Sequence, residues 1–374
     1  MPTVDEYIAA GLYDPADATH RGRVELLDWL TEMGFSLADI DRWVMCDAVS
    51  GVAGDRRLVP GERHPRDVGL ARTGLDPSEF DAFSTAFGFA PIHGAPVGEV
   101  GYTDDELETL AMLGPLGSMF TPPEVLALIR VIGGSVSRIA EAAVSLFLSD
   151  VEGPSLRAGT TELELAQKVY EAAGLVDGLA QRLDPVLRRH IQQAIERNRR
   201  SSIGATERLQ YLYAVGFVDL VGFTAVSGSL PLDELVTFLA RFEAEAHDAV
   251  ARQGARVVKF IGDEVMFVAT DANAACAAAL GVVTAFASGL DGVLPRGGLA
   301  FGEVLLRGGD YYGPVVNLAS RLVDLAVPME VLVAEPVVEA ADRCTFESAG
   351  RRVVKGFEGV VTVQSLIGAD VRVA

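Results

Sequence analysis

Two aspartates and an Asn/Arg pair at helical spacing are the residues of this chain whose types and positions can do chemistry together. Asp219 lies in the apolar run Phe217-Val-Asp-Leu-Val-Gly-Phe-Thr224, and Gly222 lets the backbone turn closely behind it. A strand-to-loop junction of this kind presents a carboxylate to a metal ion while backbone N–H groups face phosphate oxygens. Forty-four residues later, Gly262-Asp263-Glu264 separates two short apolar runs and signals a hairpin turn. That turn exposes Asp263 beside the strand that carries Asp219. Two carboxylates on neighbouring strands are the minimum oxygen cage for Mg²⁺ that also engages substrate phosphates. Either aspartate alone reads more simply as a turn residue capping its own backbone. The pair is what suggests a ligand set.

A third segment runs Gly309-Asp-Tyr-Tyr-Gly-Pro-Val-Val-Asn-Leu-Ala-Ser-Arg321. Pro314 opens a helix on which Asn317 and Arg321, four residues apart, share a face. On spacing alone this is an ordinary polar face. The functional alternative is an amide and a guanidinium aimed at one ligand, and the planar fork of Arg suits a phosphoryl centre.

These side chains need a sheet behind them, and the sequence supplies one only in its second half. Tyr211 to Val218, Val257 to Ile261, Val265 to Ala269, Gly298 to Leu306, Val331 to Ala334 and Val360 to Leu366 read as strands. Helical stretches at 232–252, 272–287, 314–326 and 337–341 lie between them. The order is βα-ββ-αβ with further elements at the C-terminus, a ferredoxin-like α+β layout. The first half reads as helical. Val24, Leu27, Trp29 and Leu30 form an apolar face ended by Gly34, and Thr103/Glu106, Thr121/Glu124 and Thr161/Glu164 are capping-box patterns. Val125 to Ile132 runs into Gly133-Gly134, a second apolar segment spans Ile139 to Leu148, and Pro185 starts a helix reaching about Arg200. Arg188, Arg189, Arg197, Arg199 and Arg200 then lead into Ser201-Ser-Ile-Gly-Ala205, the natural boundary between the halves.

At 374 residues two domains are expected, and 49 % hydrophobic residues are ample for their cores. The net charge of −21 excludes a general nucleic-acid binder or a protein held on anionic lipid. Cys46, Cys276 and Cys344 are widely separated and odd in number, which reads as reduced thiols in a cytoplasmic protein. The acidic start MPTVDEYIAA is unlike a signal peptide. The longest uncharged run, Ala274 to Leu290, lies between Asp271 and Asp291 and reads as a buried helix, so no membrane span is expected.

FVDLVGFT, KFIGDEVM and DYYGPVVNLASR, in this order and spacing, resemble the signature blocks of class III nucleotide cyclases. The resemblance covers about residue 209 to 374 and implies an adenylate cyclase. Carried over by position, Asp219 and Asp263 would bind two divalent metal ions, Mg²⁺ or Mn²⁺. Lys259 and Asp310 would read the adenine ring, Asn317 would orient the ribose, and Arg321 would stabilise the reacting phosphate. Phe217, Gly222, Phe223 and Thr224 belong to the substrate-binding block, and Lys355 in Val354-Lys-Gly-Phe-Glu358 matches a lysine that contacts the triphosphate in some members. The 3′-hydroxyl of ATP would attack the α-phosphorus, giving 3′,5′-cyclic AMP and pyrophosphate. A carboxylate and an ammonium fit the N6 donor and N1 acceptor of adenine, whereas guanine presents the reverse pattern. Some members carry an Arg after the strand Gly298 to Phe301; here Glu303 stands in that region. Because the family takes the metal aspartates from one subunit and the other residues from its partner, a homodimer with two shared sites is implied.

The N-terminal half resembles the helical regulatory domain of a group of soluble actinobacterial cyclases, in which it restrains catalysis and is associated with a response to acidic pH. The expected organisation is an all-α regulatory domain at 1–185, a coupling helix and linker at 186–208, and the catalytic domain at 209–374. His20, His64, His93 and His190 fall in the first part and suit a proton effector, though each also reads as an ordinary surface residue. The apolar stretch from Val125 to Leu148 suits a core, a dimer contact or a lipid pocket. Two competing functions remain: a nucleotide-binding module without turnover, which would have no need of Arg321, and a diguanylate cyclase, whose GG[DE]EF turn Gly262-Asp-Glu-Val265 does not match.

Overall fold

The computed structural model describes residues 1–17, 19–44, 49–89, 100–201, 210–287 and 293–369. Cys46, His93 and most of the linker after Ser201 lie outside the described residues. The chain packs as two units, Met1–Arg188 and Arg189–Ala374.

The first unit is helical. It comprises α1 Val4–Ala9, α2 Arg23–Glu32, α3 Leu37–Val44, α4 Val52–Leu58, α5 Arg66–Thr73, α6 Pro77–Phe87, α7 Asp104–Ala111, α8 Pro122–Phe147, α9 Gly153–Arg157 and α10 Glu162–Ala180; α11, Leu183–Ser201, spans the division. Thr103, Thr121 and Thr161 open α7, α8 and α10, each donating its backbone N–H at 2.8 Å to the glutamate three residues on, as the capping-box patterns predict. Leu26, Leu27 and Leu30 of α2 are fully buried, and Arg23 on the same helix donates to both carboxylate oxygens of Glu162 on α10 at 2.6 Å.

Two sequence expectations fail in this unit. Gly133-Gly134 does not divide two apolar segments; α8 runs straight through both. A Cβ on Gly133 would stand 2.0 Å from the carbonyl oxygen of Ala86, so this glycine lets α8 lie against the end of α6 rather than ending a helix. Nor is 125–148 a core within this chain. Of α8, Val125, Ile129 and Gly133 are buried, while Leu128, Val136, Ile139, Val144 and Leu146 are about half exposed. Together with the π-turn that follows and α9 it forms a 36-residue segment, Pro122–Arg157, long and apolar enough to cross a membrane.

The second unit is built on β1 Gln210–Val221, β2 Arg256–Ile261, β3 Glu264–Ala269, β4 Leu294–Arg307, β5 Asp310–Tyr312, β6 Val331–Ala334, β7 Cys344–Arg352 and β8 Val361–Ala369. Its helices are α12 Phe223–Ser227, α13 Leu232–Arg252, α14 Ala272–Ala285, α15 Pro314–Leu325 and α16 Glu335–Ala340. The strand order β2-β3-β1-β4, all antiparallel, is the ferredoxin-like arrangement that the βαββαβ sequence order requires. From β4 the sheet continues through a parallel β6 to β8 and β7, and β5 folds back on β4. The expected strands and helices are all present; α12, β5 and β7 were not anticipated.

Strand alternation divides the core in two. Ala214, Val218 and Leu220 of β1 pack beneath α13 and α14, and Tyr213, Val215 and Phe217 pack beneath α15. As expected of the apolar run, residues 274–285 belong to the buried interior helix α14. Its Cys276 thiol hydrogen-bonds Cys344 at the start of β7, although the two are far apart in sequence; both are free thiols, and burial pushes Cys276 well above the usual range.

Helix α15 lies so close to β4 that a Cβ on Gly298 would meet the Ala319 carbonyl oxygen at 2.3 Å and the Val323 nitrogen at 2.7 Å. Backbone on backbone leaves nothing flexible to yield. Gly298→Ala is therefore expected to lower unfolding stability by about 1–3 kcal/mol, read as a drop in the urea midpoint of the full chain, and to displace the helix carrying Asn317 and Arg321.

Candidate active site at the end of the central strand

Asp219 sits near the C-terminal end of β1, in register with Glu264 of β3 on one side and Arg296 of β4 on the other. Residues opposite one another in adjacent strands leave the same face of the sheet, so the ladders alone set Glu264, Asp219 and Arg296 in one row. Alternation from Phe217 puts that row on the α15 face, where Asp324 closes the helix. Asp263 occupies the tight β2–β3 turn, which Gly262 makes with φ 65°, and its carboxyl reaches hydrogen-bonding contact with Asp219. The pairing expected of the two aspartates is thus formed.

The charge gathered here is incompletely offset. Burial, followed by the nearby Asp219 charge, raises the Asp263 carboxyl above its ordinary value. Glu264 is pushed up to about 7, first by burial and then by the charges of Asp219, Asp324 and Asp263. Arg296 opposes them, donating from Nη2 to Asp219 Oδ2 at 3.0 Å and from Nε to the same oxygen at 3.2 Å. Among the described residues no group of three or more His, Cys, Asp or Glu forms a ready-made metal cage. Paired carboxylates with surplus negative charge do fit a hard divalent cation that brings further oxygen ligands with its substrate.

A second cluster lies at the β2 edge. Lys259 forms an ion pair with Asp310 on β5, half exposed and joining residues 51 apart in sequence. Asp310 Oδ1 also accepts from the Tyr311 N–H at 2.9 Å, and the Tyr311 ring packs edge-on against Tyr213. Arg256 on β2 donates to the Tyr311 hydroxyl at 3.1 Å. These contacts anchor a strand of three residues.

Asn317 and Arg321 emerge from α15 on its exposed side, opposite the buried Ala319, Leu322 and Val323. Arg321 Nη1 lies 3.3 Å from Asp324 Oδ2, and no hydrogen bond or ion pair joins either residue to Asp219 or Asp263. One chain therefore carries the expected residues in three groups: Asp219 with Asp263, Lys259 with Asp310, and Asn317 with Arg321 on one helix face. Gly222, with φ 88°, opens α12, Phe223 packs on Phe238 at 5.4 Å between ring centroids, and Thr224 is exposed. Lys355 is exposed in the turn between β7 and β8. Phe217 requires correction as a substrate contact. Its ring is 4 % exposed within the core beneath α15, because it shares the inward face with Tyr213 and Val215.

Arg296, Glu264 and Asp324 were missed by sequence reasoning. Glu303, in the region where some members carry an Arg, is exposed on β4 opposite Leu212; Arg296, seven residues earlier on the same strand, is paired with Asp219. Arg296, two residues ahead of Gly298, was visible in sequence, but its partner depends on strand register.

The raised Glu264 carboxyl has a measurable consequence. The folded chain holds a proton there that the unfolded chain releases, so this contribution to stability is complete below pH 4.5 and is lost as pH rises through about 7. In metal-free protein, Glu264→Gln should recover on the order of 2 kcal/mol relative to the parent at pH 8, with little difference at pH 4.5, by urea unfolding at both pH values.

No family model matches the chain. The adenylate cyclase of Streptomyces coelicolor is 35 % identical over 276 residues, covering 71 % of this chain and 70 % of its own. A pH-sensitive adenylate cyclase of Mycobacterium tuberculosis is 28 % identical over 373 residues, 91 % of this chain and 86 % of its own. A crystal structure of an adenylyl cyclase from Pseudomonas aeruginosa aligns with 43 % of this chain and 96 % of its own, at 24 % identity and a TM-score of 0.40. On the identity and coverage shared with the Streptomyces enzyme, the chain belongs to the class III adenylate cyclases.

Proposed function

We propose that this adenylate cyclase forms 3′,5′-cyclic AMP and pyrophosphate in a homodimer with two shared sites. Each site combines Asp219 and Asp263 of one protomer with Lys259, Asp310, Asn317 and Arg321 of the other. The observation that carries this reading is the pair of carboxylates at the end of β1, where burial, and after it the Asp219 charge, holds the Asp263 carboxyl above its ordinary value. The exposure of Asn317 and Arg321, neither of which hydrogen-bonds or ion-pairs with those carboxylates in its own chain, supports the division between protomers.

Asp219 and Asp263 would hold two divalent ions, which when bound supply Lewis acidity toward the 3′-hydroxyl and offset phosphate charge. Asp310 accepts from the adenine N6 amino group and Lys259 donates to N1; their mutual ion pair holds the two side chains side by side in the absence of base. Asn317 orients the ribose. Arg321 meets charge that grows on the phosphoryl oxygens during attack, so it acts on turnover more than on binding. Lys355 and the backbone following Gly222 contact the triphosphate. The free thiols Cys276 and Cys344 agree with a cytoplasmic enzyme, whereas the exposed apolar α8 favours a second reading in which the first unit meets a membrane.

The division between protomers is testable by complementation. Asp219→Ala and Arg321→Ala should each abolish most cyclic AMP formation, the latter by on the order of 10³ in rate. Mixing the two variants should restore about a quarter of the parent activity, because half the dimers are mixed and each of those holds one intact site. A site complete within one protomer gives no recovery.

Regulation belongs to the helical unit. The relative named pH-sensitive aligns with 91 % of this chain, helical half included, which supports protons as the effector. Cyclic AMP formation by the full chain and by residues 205–374, compared from about pH 5.5 to 8, should differ in both level and pH profile. Coincident profiles would remove any restraining role for residues 1–185.

A further inference from the structure

Arg296 stands directly across the β1–β4 ladder from Asp219, and its guanidinium uses all three nitrogens. Nε and Nη2 donate to Asp219 Oδ2 at 3.2 and 3.0 Å, and Nη1 donates to the main-chain carbonyl of Asp324 at 3.4 Å. The two side chains are 23 % and 19 % exposed, so water screens their interaction only in part. The fork grips one oxygen of the carboxylate and leaves Oδ1 outside it. It also fastens β4 to the last turn of α15. A guanidinium stays protonated at any physiological pH, so this positive charge is permanent.

Toward a divalent cation these contacts act in opposite directions. Holding the carboxylate still favours metal binding, but immobilising a side chain as short as Asp is worth only severalfold. A unit positive charge within a few ångströms of a dication disfavours binding by well over tenfold, even at an effective dielectric constant near 20. Repulsion therefore outweighs orientation.

We propose that Arg296 is a positioning residue that reserves Asp219: it holds the carboxylate in place while keeping free divalent cations off, so that metal is taken up together with the triphosphate rather than ahead of it. The polyanion supplies the negative charge that the guanidinium otherwise cancels. This inference rests on Asp219 being a metal ligand.

Mn²⁺ uptake by the full-length protein, followed by electron paramagnetic resonance with and without 3′-deoxy-ATP, tests it without turnover. The parent protein should bind Mn²⁺ weakly alone and tightly with the nucleotide. Arg296→Gln should bind free Mn²⁺ at least about tenfold more tightly and so narrow that gap. Arg296→Lys, which keeps the charge, should remain weak, and Arg296→Met serves if the Gln variant does not fold. Free Mn²⁺ bound no more tightly by the neutral variants than by the parent overturns the proposal. A purely structural role would give weaker binding with a lower melting temperature. Asp219→Asn separates the two levels: if it abolishes nucleotide-dependent uptake while Arg296→Gln gains nothing, only the reservation falls. If it leaves uptake unchanged, the metal assignment falls as well.

Discussion

Like charges are costly to gather at a half-buried sheet end, and the register of β3, β1 and β4 gathers them. Once Asp219 is opposite Glu264 and Arg296, the character of the site follows: a carboxylate pair at the hairpin, a glutamate driven toward neutrality, and one guanidinium spread between strand and helix. A slip of one residue in either ladder would turn the row to the other face, into the hydrophobic cluster beneath α13 and α14. The apolar residues on both sides of Asp219 prevent that slip. Val218 and Leu220 are committed to one core and Phe217 to the other, so the packing that stabilises the sheet also aims the carboxylate.

The close seat of α15 is a second consequence of the same strand. Gly298 follows Arg296 by two residues and removes the side chain that would hold helix and strand apart. The helix then comes near enough for its terminal carbonyl to receive the Arg296 guanidinium. Sheet register and helix placement are thereby joined through three consecutive positions of β4, from Arg296 to Gly298.

Local signals were legible in the sequence, and cross-strand ones were not. Three capping boxes, the Gly262 turn, Pro314 at a helix start and the ferredoxin-like order are each written within a few adjacent residues. Asp219 and Asp263 could be singled out because they sit in such segments, and Lys259 and Asp310 through the family resemblance of theirs. Arg296 could not, since its role depends on which residue faces it 77 positions earlier. Phe217 was misjudged because it shares the face of β1 that carries Asp219 but lies two residues deeper beneath α15, and a motif does not tell where the core ends. In α8 the composition misled: residues apolar enough for a core lie largely at the surface of this chain. Hydrophobicity dictates that such a face be covered but not by what.

The Lys259–Asp310 pair has a further significance in where it is built. Asp219 lies on a central strand with neighbours on both sides, whereas Lys259 is on the edge strand β2 and Asp310 on a three-residue ribbon joined to β4 by Gly308 and Gly309. Side chains on such margins can be exchanged with little disturbance to either core. Under the proposed assignment, the carboxylates that hold the metals stand in the part of the sheet least able to vary, and the pair that reads the base in the part most able to. On that assignment, a lineage of such enzymes can change which nucleotide it consumes while leaving its reaction intact.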